Sequence, residues 1–318
     1  MTQKIKLGFG AWQLGGECTF GGRQTGWGKL DEAEARQTLL EALERGITFF
    51  DTAPGYGKGR SERLLGSVFS AVNPSGLQVC TKYGSYENAA GEAYLDFSAD
   101  TLWRSVEESL GRLRLDRLDT LLMHGPADDF DYGVLDIAPF ENLKSLGVIR
   151  HYGVSVRSLK GAENVLNVGF GDTIEAIFNV LDRRAEERVF THPAFSRYRF
   201  IGRVPLASGF LSERFLENPG LRFGETDIRS AVSPADRSWY ETAVQKLCFL
   251  EELPGGISTS ALRYVLHHPA TDFVIPGMRN RAQLRNNLMA LELGPLSEEL
   301  QTRIKEALPL TNPNWIKH

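Results

Sequence analysis

Cysteine is scarce: Cys18, Cys80 and Cys248 are the only three in 318 residues, and none belongs to a CxxC pair. An odd number of widely spaced thiols excludes a disulfide framework and gives no zinc or other metal site, so buried or incidental thiols are expected. Long apolar runs are lacking as well. No stretch approaches the ~18 apolar residues of a membrane span, and residues 1–6 carry no apolar segment of a secretory signal. A cytoplasmic protein with no membrane partner is expected. Neither charge sign dominates, because 36 basic and 40 acidic residues leave a formal charge of −4. That balance provides no electrostatic footprint for nucleic acid or other polyanions. A dinucleotide fingerprint is also missing: Gly8, Gly10, Gly15 and Gly16 do not spell GxGxxG, and no acidic residue follows where a ribose would need one.

What remains is the composition of a globular chain, 42% hydrophobic and 24% charged, with glycine as its one excess. The 32 glycines amount to one residue in ten, against roughly 7% on average, and form no repeat. Many lie beside the ends of short apolar runs. Those runs, rich in β-branched and aromatic residues, cover 6–12, 47–51, 78–82, 118–124, 149–155, 174–179, 201–206 and 273–276. Between them come longer stretches with leucines at helical spacing. Asp31 and Glu34 suggest a capping box before Ala35, Leu39 and Leu43, and Gly46 closes that helix. Ser61 and Ser98 are expected to start the next two.

Alternating strands and helices imply parallel pairing, since each parallel connection must hold a crossover. At about 150 residues per domain the length also allows two domains. Eight units with no linker or composition break instead favour one (β/α)8 TIM barrel over residues 1–318, with long loops at its C-terminal face. Active sites in such barrels sit where the strands end, and here strand two ends at Asp51, strand three at Lys82 and strand four at His124. The loop after Asp51 can return Tyr56 over the mouth. An ammonium beside a phenol favours the phenolate, so Lys82 is expected to bring Tyr56 toward a working pKa while Asp51 holds the ammonium. His124 would donate to a substrate carbonyl oxygen. Taken singly, each of these residues is more often structural; their convergence at one mouth is what points to chemistry.

The segments FFDTAPGYGKGRSERLLG, VCTKYG, LDTLLMHGP, IRHYGVSV, VPLASGFLSERF and FVIPGMRNRAQLRNNLMALE, in this order, resemble the motifs of the aldo-keto reductase family. The resemblance implies a TIM barrel carrying out NAD(P)(H)-dependent hydride transfer, with the family's tetrad at Asp51, Tyr56, Lys82 and His124. It further implies that Gly10, Trp12 and Ser155 contact the cofactor, and that Leu206, Ser208, Gly209 and Leu211 wrap the pyrophosphate. Gly277, Arg279, Gln283 and Asn287 fall at the family's adenosine-phosphate positions. Arg279 suits a 2′-phosphate, which favours NADPH with NADH still possible. Two positions depart from the pattern: Glu175 stands where many relatives place glutamine, and Arg203 replaces an aromatic residue that often stacks on the nicotinamide.

Reduction of a small aldehyde or ketone is the leading reading. A sugar dehydrogenase is an alternative, with Tyr86, Asn88, Glu92 and Arg229 as polar pocket candidates. A cofactor-binding regulatory module, similar to potassium-channel β-subunits, is another. Trp12 and Trp27 are candidates to line the pocket, while Trp103 and the remaining histidines are assigned structural places. The loops 84–97 and 211–239 and the tail 310–318 are expected to set specificity. The oligomeric state is left open.

Overall fold

A computed structural model describes residues 6–218 and 220–310. Eight parallel strands form one sheet: β1 (Phe9–Gly10), β2 (Phe49–Asp51), β3 (Gln78–Tyr83), β4 (Leu118–His124), β5 (Ile149–Ser155), β6 (Thr173–Ile177), β7 (Arg199–Arg203) and β8 (Phe273–Ile275). Each pairs with the next in chain order. Parallel bridges Leu7 to Val274 and Gly10 to Gly277 then join the first strand to the last. The architecture is the (β/α)8 barrel expected from the alternation. Strand β7 ends earlier than its apolar run, because Val204 turns to a left-handed φ of 55°.

Side chains alternate across a strand, so one set from each strand fills the barrel and the other meets the helices. Phe49, Cys80, Leu122, Ile201, Phe273 and Ile275 form the inner cluster. Neighbouring residues such as Phe50, Val79, Leu121, Val154, Ile174, Phe200 and Val274 belong to the larger outer core. Two residues beyond Phe49, Cys80, Leu122 and Ile201, the same alternation brings Asp51, Lys82, His124 and Arg203 to the C-terminal end of the barrel.

The helices follow the amphipathic pattern. Helix α1 (Glu32–Glu44) is capped by Asp31, which accepts from the Glu34 backbone N–H at 3.0 Å, and is followed by left-handed Gly46. The reciprocal half of the capping box is not made, because the Glu34 carboxylate binds Arg281 instead. Helix α2 (Arg60–Val72) starts after left-handed Gly59, so Ser61 is not the cap expected from the sequence. It is buried inside the first turn, where its hydroxyl donates to the Ala11 carbonyl at 2.8 Å and meets the Thr52 hydroxyl at 2.9 Å. Ser98 does cap α3 (Ala99–Leu113). Trp103 is 39% exposed on that helix; packing, as expected for it, accounts for only part of its surface.

Two small hairpins, Thr19–Phe20 with Arg23–Gln24 and Ser85–Glu87 with Ala93–Leu95, rise beside the mouth. Neither has the apolar alternation that would have revealed it. Of the tail 310–318, only Leu310 lies within the described residues. Among the described residues no helix is long and apolar enough to cross a membrane.

Barrel closure explains one glycine directly. A Cβ on Gly10 would lie 2.6 Å from the Ile275 carbonyl oxygen and 3.0 Å from that of Pro276, both backbone atoms that cannot rotate aside. Gly10→Ala should destabilise the protein by about 1–3 kcal/mol, the usual cost of overpacking. Urea denaturation of the cofactor-free chain measures this; an unchanged midpoint would show that the closure is not tight.

Candidate active site

The chain turns sharply after β2. Left-handed Gly57, Lys58 and Gly59 separate Tyr56 from α2, and Gly57 presses onto Gly15, where an added Cβ would stand 2.4 Å from the Gly15 oxygen. This approach sets the Tyr56 ring against Trp12, with centroids 5.8 Å apart and planes 24° from parallel. Trp27 meets Trp12 edge-on at 5.3 Å. Both tryptophans thus stand at the mouth beside Tyr56.

Below them lies a buried charge cluster. The Lys82 ammonium is 0% exposed and donates to Asp51 Oδ1 at 2.5 Å and to the Thr52 carbonyl at 3.0 Å. It stands 5.3 Å from the centre of the Tyr56 ring. The His124 ring lies across from Tyr56, with centroids 6.1 Å apart and planes at 85°. Asp51, Lys82 and His124 from the strand ends and Tyr56 from the loop after β2 therefore converge.

Their electrostatics follow from burial and neighbours. Burial alone would lower Lys82, but Asp51 and Glu175 overcome it and hold the ammonium well above its ordinary range. Burial drives the Asp51 carboxyl up to about 8, with Glu175 pushing the same way against Lys82. His124 falls to about 3 through burial and the nearby Lys82 and Arg203 charges, so it is neutral at pH 7 and has a ring N–H to donate. Tyr56 differs from the sequence expectation. Lys82 does favour its phenolate, yet burial, aided by Asp51 and Glu175, outweighs that pull and raises the phenol above its usual value.

The remaining sequence candidates line the same C-terminal face. Ser155 ends β5 and donates to Glu175 Oε1 at 2.8 Å, while Arg203 ends β7 and donates to the Val156 carbonyl at 3.0 Å. Leu206, Ser208, Gly209 and Leu211 lie in the turn after β7. Left-handed backbone at Val204, Ala207, Ser208 and Gly209 crowds strained residues into one short loop, a concentration typical of ligand clamps. Gly277 bridges to Gly10, and Arg279 donates to the Trp27 carbonyl at 2.8 Å. Gln283 accepts from the Arg279 backbone N–H at 3.0 Å. Asn287 is 4% exposed.

Several buried polar atoms here have no hydrogen-bond partner among the described residues: Glu175 Oε2, Arg203 Nε, Asn287 Nδ2 and Gln13 Oε1. Leaving such groups unpaired costs free energy, and they offer hydrogen-bond partners to a polar ligand. Gln13 was not singled out from sequence. Its side chain lies over Gly277, where an added Cβ would come 2.0 Å from Gln13 Nε2; its place just after Trp12 was the available signal.

The polar pocket candidates are distributed differently. Asn88 and Glu92 bind each other at the exposed tip of the second hairpin, and the Tyr86 hydroxyl accepts from the Gly84 backbone N–H. Arg229 is gripped by Asp227, stacks over Phe223 at 4.0 Å and reaches the Ser208 carbonyl. It braces the turn after β7. The other described histidines hydrogen-bond within the outer structure: His151 with Asp172, His192 with Asn167, His267 with the Ala290 carbonyl, and His268 with the Ala270 backbone N–H.

Comparison with known proteins finds relatives over nearly the whole chain. Residues 6–309 match the model of the Aldo/keto reductase family. The chain is 29% identical to L-galactose dehydrogenase of Arabidopsis thaliana, covering 97% of this chain and 92% of that protein. It is 27% identical to the NADH-specific methylglyoxal reductase of Escherichia coli, covering 95% and 94%. The aldo-keto reductase AKR11C1 from Bacillus halodurans, in its holo form, superposes with a TM-score of 0.77 at 27% identity, over 98% of this chain and 95% of that one. The chain belongs to the aldo/keto reductase family of NAD(P)H-dependent oxidoreductases.

Proposed function

We propose that the protein reduces small aldehydes or ketones to alcohols, with NADPH as preferred cofactor and Tyr56 as proton donor. The observation that carries this reading is the buried Lys82 ammonium, fixed by Asp51 at 2.5 Å and set 5.3 Å from the Tyr56 ring. When bound, the cofactor supplies the hydride. The residues of the chain handle the oxygen: neutral His124 donates a hydrogen bond to the carbonyl oxygen, and Tyr56 Oη gives up its proton as negative charge develops there. Because burial keeps the phenol protonated at neutral pH, Tyr56 is loaded for reduction, and Lys82 stabilises the phenolate left behind. Trp12 and Trp27 shield the mouth from water.

Ser155 and Glu175 would meet the carboxamide end of the cofactor, and the left-handed turn at 204–209 would present backbone N–H groups to the pyrophosphate. Arg279 and the N-terminus of α4 (Arg281–Glu292) would take the 2′-phosphate. Oxidation of a sugar alcohol is the second reading, supported by the similarity to L-galactose dehydrogenase; there Tyr56 would act as base.

Three outcomes check the proposal. In a panel that includes methylglyoxal with NADPH and NADH, and L-galactose with NADP+ and NAD+, Tyr56→Phe should lower turnover about 10²- to 10⁴-fold while cofactor binding by fluorescence is retained. Unchanged turnover would remove Tyr56 from the role. Since His124 titrates near 3, carbonyl reduction should show no limb near the ordinary histidine value of ~6.5; such a limb, abolished in His124→Gln, would mean that the imidazole charges during the working range. Arg279→Ala should weaken NADPH binding by roughly 10- to 100-fold, as expected for a lost charged hydrogen bond, and leave NADH nearly unaffected. Equal losses for both would place Arg279 away from the 2′-phosphate.

A further inference from the structure

A charged side chain that the chemistry above does not use stands beside His124. Arg157 lies two residues beyond Ser155, past the end of β5, and the register sets Ser155 against His124 of β4. Its stem crosses Gly125, the residue after His124, and its Nε donates to the Gly125 carbonyl at 2.5 Å. Gly125 has a left-handed φ of 63°, and a Cβ there would stand 3.4 Å from both Cγ and Nε of Arg157. The glycine thus leaves the guanidinium a seat next to the histidine. The Arg157 charge is also felt at the imidazole: after burial, it is Lys82, Arg203 and Arg157 that lower His124.

Other cations at this face are already matched. Lys58 pairs with Glu87 at 2.7 Å, Arg229 with Asp227 at 2.6 Å and Lys82 with Asp51 at 2.5 Å. Arg203 keeps its full charge, since its bond to the Val156 carbonyl neutralises nothing, but it is half-buried at the end of β7. Arg157 is exposed. Among the described residues it has no carboxylate partner, and Nε is its one bonded nitrogen, which leaves Nη1 and Nη2 open. The carboxyl groups around it are engaged elsewhere: Asp51 and Glu175 are turned to Lys82, and Asp128, in the loop after β4, accepts from Ser158 at 2.6 Å. Two open N–H groups on one planar, permanently charged fork are matched by the two oxygens of a carboxylate.

We propose that Arg157 is a specificity-determining residue that receives a carboxylate on the substrate, so that the preferred substrates are small oxo acids, aldehydes or ketones that carry a carboxylate. The inference names a substrate class for the site and rests on the carbonyl-reductase reading above. The carboxylate takes no part in the reaction. It pairs with Nη1 and Nη2 and so turns the carbonyl end of the molecule toward Tyr56 and His124. A neutral substrate of the same shape lacks that anchor.

The holoenzyme with NADPH, offered a series from glyoxylate to 5-oxopentanoate with the methyl ester of each acid as its neutral match, tests this. In the wild type at least one acid should exceed its ester in kcat/KM by roughly 10- to 100-fold, the scale of a charged hydrogen bond. That ratio should fall to near one in Arg157→Gln, mainly through KM. Arg157→Lys should recover part of it, because it restores the charge without the fork. Esters that match or exceed their acids throughout the wild-type series would overturn the proposal. So would a preference that survives in Arg157→Gln, which would move the carboxylate to Arg203.

A binding measurement separates this from the reductase reading. Calorimetric titration of the NADPH complex with 4-hydroxybutanoate, which that complex cannot turn over, should show affinity falling roughly 10-fold or more in Arg157→Gln. Equal affinities in the two proteins contradict the carboxylate site whatever the turnover. If no carbonyl, acid or ester, is reduced while this difference in affinity stands, the reductase reading has failed and the carboxylate site has not.

Discussion

A buried ammonium organises this molecule. Lys82 sits at the end of β3 with no solvent exposure, and a lysine in that place must be matched by negative charge or lose its proton. Asp51, the Thr52 carbonyl and Glu175 supply the match from β2, the loop behind it and β6. The loop that carries Tyr56 is tied down beside the cluster, through Ser61 to the Ala11 carbonyl and through Gly57 against Gly15. The phenol therefore faces a charge that cannot move away. Such preorganisation matters more than any single hydrogen bond, since dipoles already in place need no rearrangement when charge develops on the substrate oxygen.

Much of this was legible in the sequence because barrels obey a simple geometry. Asp51, Lys82 and His124 end successive apolar runs, and ends of successive parallel strands meet at one face. Gly46, Asp31 and Ser98 read correctly because a cap is a local event. Ser61 did not, since Gly59 begins the helix instead and a small hydroxyl is needed where α2 meets the loop after β1. The hairpins were missed because short polar strands that cover a mouth carry no alternating pattern.

The cross-barrel contact was the least legible feature. Glu175 was recognised as a departure, but its neighbour Lys82 lies on β3, three strands away, and no local spacing connects them. Barrel geometry does: Asp51 and Glu175 belong to even-numbered strands, whose inward side chains fill a common layer. The phenol's direction of shift was misjudged for the same reason. Lys82, held by Asp51, was expected to prevail, whereas burial above all, and then Asp51 and Glu175, outweigh its pull on the phenol.

The central claim is that the Lys82 ammonium makes Tyr56 a proton donor. The measurement that tests it most directly is single-turnover carbonyl reduction by Lys82→Met at saturating NADPH, with cofactor binding followed by fluorescence quenching. The account predicts that NADPH still binds while the hydride-transfer rate falls about 10²-fold or more, the usual scale for loss of electrostatic support to a developing anion. A rate within a few-fold of wild type, with the fold and cofactor affinity intact, would contradict it.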